Sequence, residues 1–146
     1  MFRGHETTRA DTKGRLKVPS VFRTPLEEKY GRQLFVTSVS GEFVRLYPMP
    51  VWTEIEEKLA KMAPGHPSRG RFLDWVNYFG QVAEIDTQGR ILIPARLRET
   101  ASVSGDIEVL GQGSYLDAWN HDRFWTRLQK KPFTDDDARA LADYGI

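Results

Sequence analysis

Two short stretches carry the residues best placed to do chemistry. Asp11-Thr12-Lys13-Gly14-Arg15 and Asp86-Thr87-Gln88-Gly89-Arg90 share an Asp, a Gly and an Arg at the same spacing. Gly is the residue that enters the left-handed backbone region cheaply, so Gly14 and Gly89 read as turn positions. Asp11 and Asp86 suit the start of such turns, because a carboxylate there can accept backbone N–H bonds. Two readings of the arginines compete. In one, Arg15 and Arg90 pair with the aspartates and only stabilise the turn. In the other, Arg15, Arg90 and Lys13 project cations from a rigid two-stranded ribbon that fits the DNA major groove. There Arg can bond bidentately to guanine and Lys can reach a phosphate.

The other chemistry-bearing residues are scattered. The histidines, His5, His66 and His121, are far apart and lack metal-ligand spacing. The chain contains no cysteine, which removes disulfides, thiolate catalysis and Cys-based zinc sites. Neither a phosphate-binding Gly-rich loop, a nucleophile elbow nor a His-Glu-x-x-His helix occurs. The expectation is a non-enzyme with no cofactor, no metal and no small-molecule substrate. Charge is balanced overall, 21 basic against 20 acidic residues, but unevenly placed. Residues 1–23 hold six cations, Arg3 among them, against Glu6 and Asp11, while the tail carries Asp135, Asp136, Asp137 and Asp143 against Arg139. The N-terminus reads as free of a signal peptide, and no apolar run is long enough to span a bilayer.

The turns sit inside a longer repeat. Residues 11–23 recur as residues 86–98, an offset of 75, with identities at Asp11, Thr12, Gly14, Arg15, Pro19 and Arg23. The apolar pairs Leu16/Ile91, Val18/Ile93 and Phe22/Leu97 also match. Further on, Leu34, Val36, Phe43, Leu46 and Trp52 match Ile107, Val109, Leu116, Trp119 and Trp125 at an offset of 73. Upstream, Gly4 aligns with Gly80 and Phe2 with Tyr78. Each unit reads as a hairpin over His5–Val18, a helix from Pro19, a second hairpin turning at Ser40-Gly41, and a helix carrying Trp52, Ile55 and Leu59. Pro25 is awkward inside the first helix and is expected to shorten or bend it. The class is α+β. The aromatic stripe Trp119, Phe124, Trp125, like Tyr47 and Trp52, reads as core or subunit interface.

Together these motifs resemble the MraZ family of bacterial regulators. The match runs from Met1-Phe2-Arg3-Gly4 through Asp11-x-Lys13-Gly14-Arg15-Leu16 and Pro19-x-x-Phe22-Arg23 to Asp86-x-x-Gly89-Arg90 and Pro94-x-x-Leu97-Arg98. The resemblance implies two tandem AbrB/SpoVT-like units that interlock as an intramolecular swapped-hairpin pseudo-dimer. It divides the chain into a first unit (1–60), a linker or connecting helix (61–77), a second unit (78–131) and an acidic tail (132–146). It implies a ring homo-oligomer that binds promoter direct repeats of double-stranded DNA and represses a division and cell-wall gene cluster. It places the protein in the cytoplasm, with the nucleoid. Arg15, Lys13, Arg90 and Arg3 are the expected DNA contacts, with Asp11, Gly14, Asp86 and Gly89 shaping the turns. Gln88 replaces Lys at the second tip, removing one phosphate contact. A rival reading is a protein-interaction or antitoxin-like module with non-specific DNA affinity, whose partner-binding segment is the acidic tail.

Overall fold

The computed structural model describes residues 1–146. Its first half holds β1 (His5–Arg9), β2 (Arg15–Lys17), α1 (Ser20–Tyr30), β3 (Gln33–Thr37), β4 (Val44–Pro48) and α2 (Met49–Ala60). Then come α3 (Pro67–Tyr78), β5 (Gln81–Glu84), β6 (Arg90–Leu92), α4 (Ala95–Thr100), β7 (Asp106–Gly111), β8 (Leu116–Asn120), α5 (His121–Lys130) and α6 (Asp135–Ala142). The order β-β-α-β-β-α occurs twice, with α3 between the copies and α6 after them.

The two copies exchange strands. One sheet has the order β1-β7-β8-β4-β3-β5, and a second pairs β2 with β6. The first strand of each copy therefore lies beside the third strand of the other, all antiparallel. At the centre of the small sheet Leu16 faces Ile91, which are the same position of the repeat, so a pseudo-two-fold axis passes between them. This is the swapped-hairpin arrangement within one chain. It alters the local picture of the first hairpin: β1 and β2 form no ladder with each other. Only a bridge between Ala10 and Leu16 joins its arms, because each arm finds its hydrogen bonds on the other copy.

Burial follows the repeat. Leu16, Val18, Phe22 and Leu26 from one copy and Ile91, Ile93 and Leu97 from the other pack in a single core of 20 buried residues. At about 1.5–3 kcal/mol for each large apolar side chain buried, this shared core outweighs anything one copy could build alone. A smaller cluster of Phe35, Tyr47, Trp52 and Val76 lies under α2 and α3. Of the stripe expected to be core or subunit interface, Tyr47, Trp52 and Trp119 are buried and Trp125 is exposed in the single chain.

Several local expectations change. Pro25 does not interrupt α1, which runs unbroken to Tyr30 and is capped by Gly31 at φ 87°. Pro25 and Val21, whose carbonyl it leaves without a donor, lie on the solvent face, where water can serve. Pro19 stands one place before the first turn, its carbonyl accepting from Phe22 N and Arg23 N. The β3–β4 connection is a loop over residues 38–43 rather than a two-residue turn, pinned by Gly41 N donating to the buried Ser38 Oγ at 2.8 Å. The turn-rich stretch Met62–Gly70 is partly helical. Pro67 opens α3, and His66 Nδ1 caps it by accepting from Ser68 N at 3.1 Å. Strand registers also move the upstream match. His5 pairs with Leu110, and Val36 pairs with Gln81, so Gly80 corresponds to His5 rather than to Gly4.

Candidate nucleic-acid interface

The two Asp-x-x-Gly-Arg turns match bond for bond. Asp11 Oδ1 accepts from Lys13 N and Arg15 N, both at 2.9 Å, while Oδ2 accepts from Arg15 Nε at 2.7 Å. Asp86 Oδ1 accepts from Gln88 N and Arg90 N at 2.9 Å, and Oδ2 from Arg90 Nε at 3.2 Å. Each turn is closed by backbone bonds between the Asp and Arg positions, 2.9 Å in both. The backbone N–H of Arg15 is the main cause that holds the Asp11 carboxyl below its ordinary value, and partial desolvation opposes it. The N–H of Arg90 does the same for Asp86.

The strand exchange brings the two turns side by side. Val18 N donates to Gly89 O and Ile93 N to Gly14 O, each at 2.9 Å. Arg90 Nη1 lies 3.5 Å from Asp11 Oδ2, across the axis. Gly14 (φ 83°) and Gly89 (φ 77°) are required twice over. Their backbone is left-handed, and each lies under an arginine from the opposite copy: a Cβ at Gly14 would collide with the Arg98 guanidinium, and one at Gly89 with that of Arg23. Lys17 Nζ donates to the Gln88 carbonyl at the second tip.

One end of the axis therefore gathers Lys13, Arg15, Lys17, Arg23, Arg90 and Arg98 around the carboxylates of Asp11 and Asp86, with Glu99 beside Arg98. Arg15 and Arg90 spend Nε on the aspartates, which fixes each guanidinium plane. The Arg15 Nη atoms and the side chains of Lys13, Arg23 and Arg98 keep their donors for an outside acceptor. Both competing readings of the arginines thus describe part of one geometry: the turn is tied down, and its outer edge faces out. Arg3 is not part of this cluster. It precedes β1 and lies against Gly111, at the far end of that strand from the turn, about 25 Å along the chain at strand rise.

Lys17, Arg23 and Arg98 were not singled out from sequence. The signal for two of them was present, since Arg23 and Arg98 close the thirteen-residue repeat at identical positions. What the sequence lacked was the crossing that lays each over the other copy's glycine. Two of the histidines, distant in sequence, meet in the fold. His121 Nδ1 lies 3.0 Å and His5 Nε2 3.5 Å from the buried Glu108 carboxylate, which also accepts from Thr7 Oγ1. No group of three or more such side chains has the geometry to hold a metal ion.

A family model described as "MraZ protein, putative antitoxin-like" matches residues 1–74 and 81–143. The chain belongs to the MraZ family. Among its relatives, the transcriptional regulator MraZ of Acidobacterium capsulatum is 46% identical over the whole of both chains. That of Koribacter versatilis is 45% identical over the same extent, and that of Leuconostoc citreum 34% over 99% of each. The family match includes both turns and both copies of the repeat and is interrupted only at residues 75–80, between the last turn of α3 and β5. No helix is long and apolar enough to cross a membrane.

Proposed function

We propose that the protein is a transcription regulator that binds double-stranded DNA through the face built by the two turns. The observation that carries this reading is the cation cluster at the axis: six basic side chains, most with donors unused by the protein, held on a rigid exchanged framework. Lys13, Lys17, Arg23 and Arg98 contact phosphates, which supply affinity and make it fall with salt. Arg15 and Arg90, their planes fixed by Asp11 and Asp86, present the Nη edge to base edges, where a bidentate contact to guanine discriminates. Arg3 lies outside this face, against Gly111, and its contact is with a separate stretch of DNA.

The finer reading follows the family resemblance. The protein acts as a repressor in the cytoplasm, on the nucleoid. It binds direct repeats in the promoter of a division and cell-wall gene cluster as a ring of copies. Repeated subunits on repeated boxes raise the effective concentration of each later contact. The working complex needs no cofactor and no catalytic step. The wording "antitoxin-like" in the family description keeps the interaction-module reading as the rival.

Fluorescence anisotropy on the DNA upstream of this gene, over a salt series, tests the proposal. Wild type is expected to bind tightly and with salt sensitivity, with Arg15→Ala losing about 1–3 kcal/mol of discrimination against scrambled DNA. Arg98→Ala is expected to weaken both sequences alike and flatten the salt slope. Equal binding of wild type and both variants would sink the reading.

A further inference from the structure

The sheet face under α5 differs in chemistry from its counterpart under α2. Strand registers fix the correspondence: Phe35 faces Tyr47 and Val82, and Glu108 faces Trp119 and Thr7. Glu108 therefore stands where the first copy has Phe35, and Thr7 where it has Val82. His121 opens α5 as Met49 opens α2, and His5 takes the place of Gly80. In the first copy the site is apolar: Phe35 stacks on Trp52 at 4.5 Å, and α3 closes the cleft with Val76 and Phe72. The fold thus accepts hydrocarbon at this place, and folding alone does not call for a carboxylate between two histidines.

In the second copy the polar set lies in an open groove. Leu110, Phe124, Trp125 and Leu128 form its apolar walls, and its volume, about 530 Å³, suits a single small ligand. Glu108 is only 8% exposed, and no lysine or arginine pairs with it. Its carboxylate accepts from Thr7 Oγ1 at 2.9 Å and lies 3.0 Å from His121 Nδ1 and 3.5 Å from His5 Nε2. A neutral imidazole has one N–H. Here it turns to the carboxylate, which leaves the second nitrogen of each ring as an acceptor. With the histidines neutral, Glu108 carries the one full charge among the residues lining the groove. The cluster therefore offers acceptors and a negative charge, and a buried carboxylate is stabilised by a cation that donates to it. Its three side chains do not have the geometry to hold a bare metal ion, which leaves an organic cation.

We infer that the groove between α5 and β7 is a binding site for a small organic amine, a protonated nitrogen on a flat apolar body. The head donates to Glu108, with His5 and His121 beside it. The body lies against Phe124, Trp125 and Leu128, whose aromatic faces also attract the cation. The site is independent of the DNA contacts, which belong to the turns beyond the far end of β1.

Isothermal titration calorimetry of the full chain with phenethylamine tests this, at about pH 8, where ordinary imidazole is neutral. Saturable one-to-one binding is expected, at least about tenfold tighter than that of phenethyl alcohol, which lacks the charge, or of methylammonium, which lacks the body. Glu108→Gln keeps the size of the side chain and removes its charge, and should weaken the amine about tenfold or more. Leu128→Lys, at a half-exposed position on the wall, brings its own ammonium into the groove and should block the amine even if Glu108→Gln fails to fold. Amine binding no tighter than that of the alcohol would overturn the inference, as would amine binding that survives in Leu128→Lys or in folded Glu108→Gln. Zinc chloride is the probe for a metal. Zinc binding that depends on Glu108, with none by the amine, would overturn it as well. Arg15→Ala should bind the amine as wild type does, so failure of the DNA reading leaves this site standing.

Discussion

Asp11 and Asp86 each bind their turn and aim an arginine with one carboxylate, so protonation undoes both at once. Their folded values lie below the ordinary aspartate value, the main cause being the N–H groups of Arg15 and Arg90. A depressed carboxyl stabilises the fold above its unfolded value, and that stability is lost as pH falls through the folded one. The melting temperatures of wild type and an Asp11→Asn, Asp86→Asn variant should therefore differ at pH 7 and converge below about pH 4. The glycines permit a sharper comparison. Gly31→Ala meets only its backbone, φ 87° with ψ −166°, with no atom near its Cβ, and should cost about 1–3 kcal/mol. Gly89→Ala also meets a positive φ, 77°, and must in addition displace Arg23. Thermal unfolding should show it the more damaging of the two, and anisotropy should show DNA affinity falling as well, which Gly31→Ala should leave alone.

Among the elements, β4 and β8 meet at the middle of the large sheet, where Arg45 and Asp117 pair across the two copies. Arg45 Nε donates to Asp117 Oδ1 at 2.8 Å, and the Tyr115 ring lies 4.3 Å from the guanidinium. Burial pushes the Asp117 carboxyl up, and Arg45 opposes that shift. Strand registers place Arg45 and Asp117 at the same position of the repeat, an offset of 72 rather than 73 because the β7–β8 connection is one residue shorter, so the pair sits on the pseudo-two-fold axis and is a place where the copies have diverged. Asp117→Ala leaves a buried guanidinium without its carboxylate and should cost about 3–5 kcal/mol in denaturant unfolding. Arg45→Met with Asp117→Leu should recover most of that. The elements themselves were largely legible in the sequence, since the thirteen-residue repeat and the Trp52 and Trp125 helices stand where periodicity puts them. Their partners were not. Nothing in His5–Arg9 says that it lies beside Asp106–Gly111, because pairing between copies leaves no local pattern. The same limit hid the roles of Arg23 and Arg98, and α3 was obscured by the turn-forming residues that begin it.

At the scale of the whole molecule, neither copy owns a complete sheet. β1, β2, β5 and β6 make every ladder bond with the opposite copy. Residues 1–60 expressed alone should therefore be unfolded or assemble with themselves, and mixing with residues 61–146 should restore the far-ultraviolet circular dichroism of the full chain. A folded monomer of 1–60 would contradict this. The exchange also has a consequence for what the cationic face can read. Two identical chains related by symmetry see the same letters from both sides and are bound to palindromes. Here the halves are written separately in one gene, and they have drifted: Lys13 stands across the axis from Gln88, and Lys17 corresponds to Leu92. The face has a left and a right, so a site turned end for end is a different site, and a row of such boxes must all point the same way.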